Sequence, residues 1–193
     1  MPHSVLRIDS SARTEGSVSR DLTDRVIARL SPDTVVSRDL ADGLPLIDNS
    51  WIGANMTSAD DRNDEQRNLL ALSDTLIAEL KAADTVVIGV PVYNFGIPAA
   101  LKAWIDLITR HGVTFNYTET GPAGTLTGKR AILAMASAMT QVGAYDDFVT
   151  GYLKHLLGFL GITDIQIVAA DQQVLGGEEV LAKAHDQISA VAA

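Results

Sequence analysis

Cysteine is absent from this 193-residue chain. That removes disulfide frameworks, thiolate nucleophiles and cysteine-ligated zinc or iron–sulfur centres together. No apolar run approaches the roughly eighteen residues that mark a membrane-spanning helix. Lysine and arginine (15, against 24 Asp and Glu) gather nowhere into a basic patch, so nucleic acid has no electrostatic footprint to bind. The formal net charge of -9 reads as solubility. It still leaves room for an anionic ligand, because helix N-termini and backbone N–H groups hold phosphate without net positive charge. The opening "MPHSVLRIDSS" enters strand-like sequence at once, which leaves no room for a signal peptide and predicts a cytoplasmic protein. His3, His111, His155 and His185 form no metal-ligand spacing with the acids, so no metal site is expected.

What is present is apolar: 47% of residues are hydrophobic and 20% charged, enough for a large core in a single domain spanning 1–193. "SVLRIDSS" is a first strand. After the polar "ARTEG", Ser17 opens a helix in which Leu22, Val26 and Leu30 recur every four residues. "DTVVSRDL" is a second strand. Residues 41–65 have turn composition and no period, with Leu46, Ile47, Trp51 and Ile52 as candidate anchors. A helix over 66–83 places Leu69, Leu72, Leu76 and Leu80 on one stripe. "TVVIGVPVY" and "KRAILAMAS" are too continuously apolar for strands with one wet face. Between them lie the helix "PAALKAWIDLIT" and a glycine-rich loop over 112–128 with a short extended piece. A helix over 145–160, the strand "ITDIQIVAAD" and a helix over 176–192 complete the chain. Five short apolar strands alternating with helices predict an α/β three-layer sandwich around a five-stranded parallel sheet. Its ligand belongs beyond the carboxyl ends of the strands.

The loop after the first strand has neither G-x-G-x-x-G nor G-x-x-x-x-G-K-[ST]. It reads "DSSARTEGSVSRDL", in which Ser10, Ser11, Ser17 and Ser19 stand where glycines would permit close approach of a pyrophosphate. Hydroxyls and backbone donors around a helix start can surround a terminal phosphate on several sides, so the loop suits a phosphomonoester. Ser17 is also a good N-cap, and serines that merely cap and fill a turn remain the alternative.

At the exit of the third strand, "PVYNFG" supplies what a planar ring needs. Turn N–H groups can reach ring carbonyls and nitrogens. Asn94 offers both donor and acceptor, and Tyr93 and Phe95 can pack around the ring plane. Taken with the serine loop, the segment points to flavin mononucleotide (FMN). Aromatics that simply cover the sheet edge are the competing reading.

These segments, with "DTVVIGVPVYNFGIPAALKAWIDLITRHGVTFNYTETGPAGTLTGKRAI" and "LLGFLGITD", resemble the FMN-dependent NADH azoreductases of the flavodoxin-like superfamily, relatives of the NAD(P)H quinone reductases. The resemblance covers essentially the whole chain. It implies a flavodoxin-like fold and a homodimer with one FMN per subunit. NADH would be the hydride donor, and quinones or azo compounds the acceptors, in ping-pong order. Carried onto this sequence, Ser11, Ser17, Val18 (through its backbone) and Ser19 would contact the phosphate. Val92, Tyr93, Asn94 and Phe95 would contact the ring, and Tyr117 resembles the family aromatic on the substrate side of the flavin. Where better-known bacterial members carry Ser-Arg-Gly-Gly beside the flavin, this chain has Ala136, Ser137, Ala138 and Met139, with Ser137 left as a donor. No catalytic side chain is expected, because the cofactor carries the hydride chemistry. The alternatives are an FMN or quinone reductase without an azo role, a flavodoxin-like electron carrier, and a relative that has lost FMN.

Overall fold

The protein is described by a computed structural model over residues 2–192. Its elements run β1 (Ser4–Asp9), α1 (Val18–Leu30), β2 (Thr34–Asp39), α2 (Asn49–Met56), a 3₁₀ turn (Ala59–Asp61), α3 (Asp64–Ala82), β3 (Thr85–Pro91) and α4 (Ala99–Ile108). They continue through β4 (Phe115–Thr118), β5 (Gly121–Gly124), β6 (Arg130–Ala136), α5 (Phe148–Leu160), β7 (Asp164–Ala170) and α6 (Gln173–Ser189). Five strands form one parallel sheet in the order β2-β1-β3-β6-β7. The expected sandwich is therefore present. The chain first steps outward from β1 to β2, then returns past β1 to β3. Connections leaving β1 and β3 diverge at that reversal and open a crevice between them.

Helices cover both faces, so the central strand has no wet side and every residue of β3 is buried. Alternation along the strand still sorts the two cores. Val86, Ile88 and Val90 join Leu6, Ile8, Leu101, Trp104 and Leu133 on the face of α2, α3, α4 and α5. Val87 joins Val5, Leu22, Val26, Ile132 and Ile188 on the face of α1 and α6. Leu22, Val26 and Leu30 are all buried, as their spacing predicts, and each contributes about 1.5–3 kcal/mol by leaving water.

Several boundaries and faces differ from the sequence reading. In α3 the buried stripe is Leu70, Ser73, Leu76, Ile77 and Leu80, while Leu69 is exposed. The buried face carries Leu70 and Ile77 beside Leu76 and Leu80, and it accommodates the polar Ser73 because its hydroxyl donates to the Leu107 carbonyl at 2.6 Å. Of the anchors in 41–65 only Trp51 is buried (8%), within α2, and Leu46 stands 77% exposed. That helix exists because Asp48 caps it, accepting from the Trp51 N–H at 2.8 Å. The last helix starts at Gln173 rather than at the Gly-Gly pair and kinks at Gly177, where φ is positive.

The glycine-rich stretch 112–128 holds an antiparallel hairpin, β4 against β5, rather than a loop with one extended piece. The hairpin sits on the C-terminal end of α5. There Gly124 lies so close to Leu160 that an added Cβ would be 2.0 Å from the Leu160 carbonyl carbon. The Leu126 N–H donates to the Leu160 carbonyl at 2.9 Å. Among the described residues no helix is long and apolar enough to cross a membrane.

Candidate cofactor site

Loops at the carboxyl ends of β1, β3, β6 and β7 enclose a cleft of about 410 Å³, within the range of roughly 300–1,000 Å³ usual for small-molecule sites. The loop after β1 supplies Ser11, Arg13, Gly16, Ser17, Val18 and Ser19. Pro91, Val92 and Tyr93 come from the exit of β3, and Ala136, Ser137 and Ala138 from that of β6. Gln173 and Val174 open α6.

One end of the cleft is the start of α1. The first N–H groups of any helix lack intrahelical partners, and here the N-cap hydroxyl does not supply one. Ser17 occupies the N-cap position, but its side chain makes no capping bond. Its Oγ lies 3.2 Å from Ser19 Oγ instead. Hydroxyls and first-turn N–H groups thus face the cleft with donors to spare, at the positive end of the helix dipole. Gly16, at φ 64, makes the left-handed bend that leads the chain into the helix. Ser10, which the sequence groups with these serines, points elsewhere: it is buried, and its hydroxyl donates to the Gly89 carbonyl at 2.6 Å.

The loop is tied from behind by charge. Arg20 donates to the carbonyls of Arg13 (2.8 Å) and Ser11 (3.0 Å) and grips both Asp39 oxygens at 2.7 Å. These bonds from Arg20 hold the Asp39 carboxyl below the usual carboxylate range. Beneath the same loop Asp9, buried, accepts from Thr23 Oγ1 (2.8 Å) and Arg7 Nε (2.7 Å). Gly89 on β3 lets α1 come this close, since a Cβ there would sit 3.0 Å from Thr23 Cγ2 and 3.3 Å from the Ser19 carbonyl.

At the other end, Tyr93 and Gly96 exchange reciprocal backbone bonds of 3.0 and 2.9 Å. Asn94 (φ 49) and Phe95 (φ 64) between them both have left-handed φ, the pattern of a tight type I′ turn. Asparagine accepts this conformation readily, whereas phenylalanine is strained by about 1–2 kcal/mol. Strained backbone of this kind clusters where a ligand is held. The turn sets Phe95 outward, 58% exposed, on the rim of the cleft. Tyr93 lies between the two ends, its hydroxyl 3.3 Å from both Ser11 Oγ and the Ala12 N–H.

The structure therefore brings Ser11, Ser17, Val18, Ser19, Val92, Tyr93 and Ser137 into one lining, whereas Asn94 and Phe95 remain on the adjoining turn. Tyr117 is outside the lining, on β4, 71% exposed and packed by its ring against His111 and Phe115 at 5.3 and 5.6 Å. His111 belongs to that aromatic cluster and does not line the cleft. Arg13, Gln173 and Val174 were not singled out by sequence. The "DQQV" following the last strand carries no distinctive motif, and only the rule that ligands gather at strand carboxyl ends would have pointed there.

This serine-lined helix start, at the carboxyl edge of a 2-1-3-6-7 sheet, coincides with a family resemblance. A sequence model described as a flavodoxin-like fold matches residues 3–192. The chain belongs to the flavodoxin-like fold family. Among flavodoxin-like relatives, a Jannaschia sp. (strain CCS1) protein named FMN-dependent NADH:quinone oxidoreductase 1 is 56% identical, over 98% of each chain. A Cereibacter sphaeroides (strain KD131 / KCTC 12085) protein named FMN-dependent NADH:quinone oxidoreductase is 51% identical, again over 98% of each. Among solved flavodoxin-like structures, an FMN-dependent NADH-azoreductase from Bacillus anthracis str. Ames Ancestor, in complex with FMN, superposes with a TM-score of 0.87. It is 28% identical and covers 97% of this chain and 96% of its own. The azoreductase from Bacillus anthracis str. Sterne gives a TM-score of 0.88 at 26% identity, over 97% of each chain.

Proposed function

We propose that this protein is an FMN-dependent NADH:quinone oxidoreductase that also reduces azo compounds, working as a single domain over 1–193. The observation that carries this reading is the uncapped start of α1, where Ser11, Ser17 and Ser19 sit beside free N–H groups in the same cleft as the β3 exit. That donor set fits a phosphomonoester. The named relatives support the same assignment over their full lengths.

Ser11, Ser17, Ser19 and the Val18 backbone hold the phosphate, with Arg13 adding positive charge. Val92, Tyr93, Asn94 and Phe95 hold the ring system, their turn supplying N–H donors in a fixed geometry. Ser137 supplies a further polar contact from the β6 side. FMN, when bound, supplies hydride acceptance from NADH and hydride return to the acceptor. The residues here bind and orient the cofactor and restrict water; none acts as a general acid or base. Ala136 and Ala138 leave the β6 side of the cleft open, where larger side chains would narrow it.

Exposed Phe95, Tyr117 and Tyr145 favour a homodimer in which a second copy closes over the cleft mouth. NADH as donor supports a cytoplasmic location. To test the reading, the protein is purified with FMN, freed of excess and examined by visible absorption. NADH is then added without oxygen, followed by a quinone. Flavin bands that bleach with NADH and return with quinone are expected. A colourless protein that takes up no FMN would refute the assignment.

A further inference from the structure

Arg20 does not line the cleft, yet it holds two carbonyls of the phosphate loop. Its Nε donates to the Arg13 carbonyl at 2.8 Å and its Nη2 to the Ser11 carbonyl at 3.0 Å. Asp39, at the carboxyl end of β2, fixes the guanidinium through both oxygens at 2.7 Å. Asp39 is itself fixed by the Ala41 N–H at 2.9 Å. The planar fork of arginine can make these four bonds together; an ammonium cannot.

A trans peptide points its N–H opposite to its C=O. When Arg20 draws the Ser11 carbonyl backward, the N–H of the same peptide, that of Ala12, must face the other way. It does, meeting the Tyr93 hydroxyl at 3.3 Å on the cleft side. The Arg13 carbonyl is drawn to the same guanidinium. We propose that Arg20, held by Asp39, is a positioning residue that aims the backbone donors of the β1–α1 loop at the cofactor's phosphate. The carbonyls it removes from the cleft would otherwise turn negative dipoles toward an anion.

This inference rests on the FMN reading, and the test compares two flavins that differ only in the phosphate. Dissociation constants for FMN and riboflavin are measured by quenching of flavin fluorescence in the wild-type full chain, Arg20→Gln, Arg20→Lys and Asp39→Asn. In Arg20→Gln the FMN dissociation constant is expected to rise about tenfold, the scale of lost charge-assisted bonds, with riboflavin nearly unchanged. Arg20→Lys keeps the charge but not the fork and is expected to recover only part of that loss. Asp39→Asn is expected to shift FMN in the same direction by a smaller factor, and it carries the test should Arg20→Gln fail to fold.

Equal weakening of both flavins would overturn the inference, because a loop that is merely loosened has no reason to spare riboflavin. Full recovery by lysine would overturn it too, reducing the effect to charge. Wild-type binding of FMN with no change in Arg20→Gln would overturn this inference alone. A wild-type chain that bound neither flavin would overturn the functional reading and this one with it.

Discussion

Two arginines brace loops in this molecule, and they differ in what lies around them. Arg110, at the end of α4, is 1% exposed and donates to Asp74 (2.5 Å), Asn55 (3.0 Å) and Ser73 (3.1 Å). It locks α2, α3 and the turn before β4 together and does not line the cofactor cleft. Arg20 spends its donors on loop carbonyls and on a half-exposed carboxylate at the edge of the sheet. A guanidinium sealed in a core must be satisfied whatever the protein does. Arg20, behind the cleft loop, keeps 15% of its side chain in water, so its loss is expected to be read first in the ligand. Burial of the guanidinium distinguishes these two cations more clearly than the number of bonds each makes.

The largest expected effect sharpens that contrast. Asp74→Ala leaves Arg110 buried with only neutral acceptors. Because Asp74 is itself 59% exposed, the change should destabilise the fold by about 2 kcal/mol, the cost of a buried donor losing one partner, read as a lowered urea midpoint. FMN affinity of the folded fraction should be unchanged. If instead Asp74→Ala weakened FMN binding and left the midpoint alone, the two arginines would not divide as argued.

Next in size is Gly89→Ala, which attacks the site-side brace through packing rather than charge. The new methyl would press on Thr23 and on the Ser19 carbonyl, costing about 1–2 kcal/mol as overpacking. It displaces the start of α1, so FMN should weaken more than riboflavin in a fluorescence titration.

Acid offers a third lever. The Asp39 carboxyl is held low chiefly by its bonds from Arg20. A folded-state value below the unfolded one stabilises the protein above about pH 4, and that contribution fades as pH falls through the folded-state value. Thermal melting followed below pH 4 should therefore decline less steeply in Asp39→Asn than in the wild type. The smallest effect belongs to the exposed Arg25–Asp21 pair on α1. Arg25→Ala should change stability by less than about 0.5 kcal/mol, measured by denaturant titration, because neither partner is shielded from water.

The layered fold was legible because strands buried on both faces must be continuously apolar. "TVVIGVPVY" and "KRAILAMAS" announced β3 and β6 for that reason. The β4–β5 hairpin was not legible. "GPAG" contains no strand-forming residue, and its pairing comes from backbone contact with α5 rather than from side-chain preference. Leucine at Leu69 gave no sign of facing water, since Leu70 and Ile77 compete for the same core and the buried face tolerates Ser73 through its bond to Leu107. At the cleft, the serines and the "VYNF" turn could be singled out by chemistry. Arg20 could not, because its role depends on which way a peptide plane points. A sequence records that an arginine is present and not where its fork is aimed.

The contact between Gly124 and the end of α5 has a genetic consequence. Every glycine codon is a single-nucleotide step from an alanine codon, so the smallest heritable side chain is always within reach at this position. A Cβ at Gly124 would fall 2.0 Å from the Leu160 carbonyl carbon, and no rotamer can relieve a clash between backbones. The Tyr117 hairpin therefore keeps its place only so long as that mutation is repeatedly discarded. Drift that is harmless on most of this surface is closed at that codon.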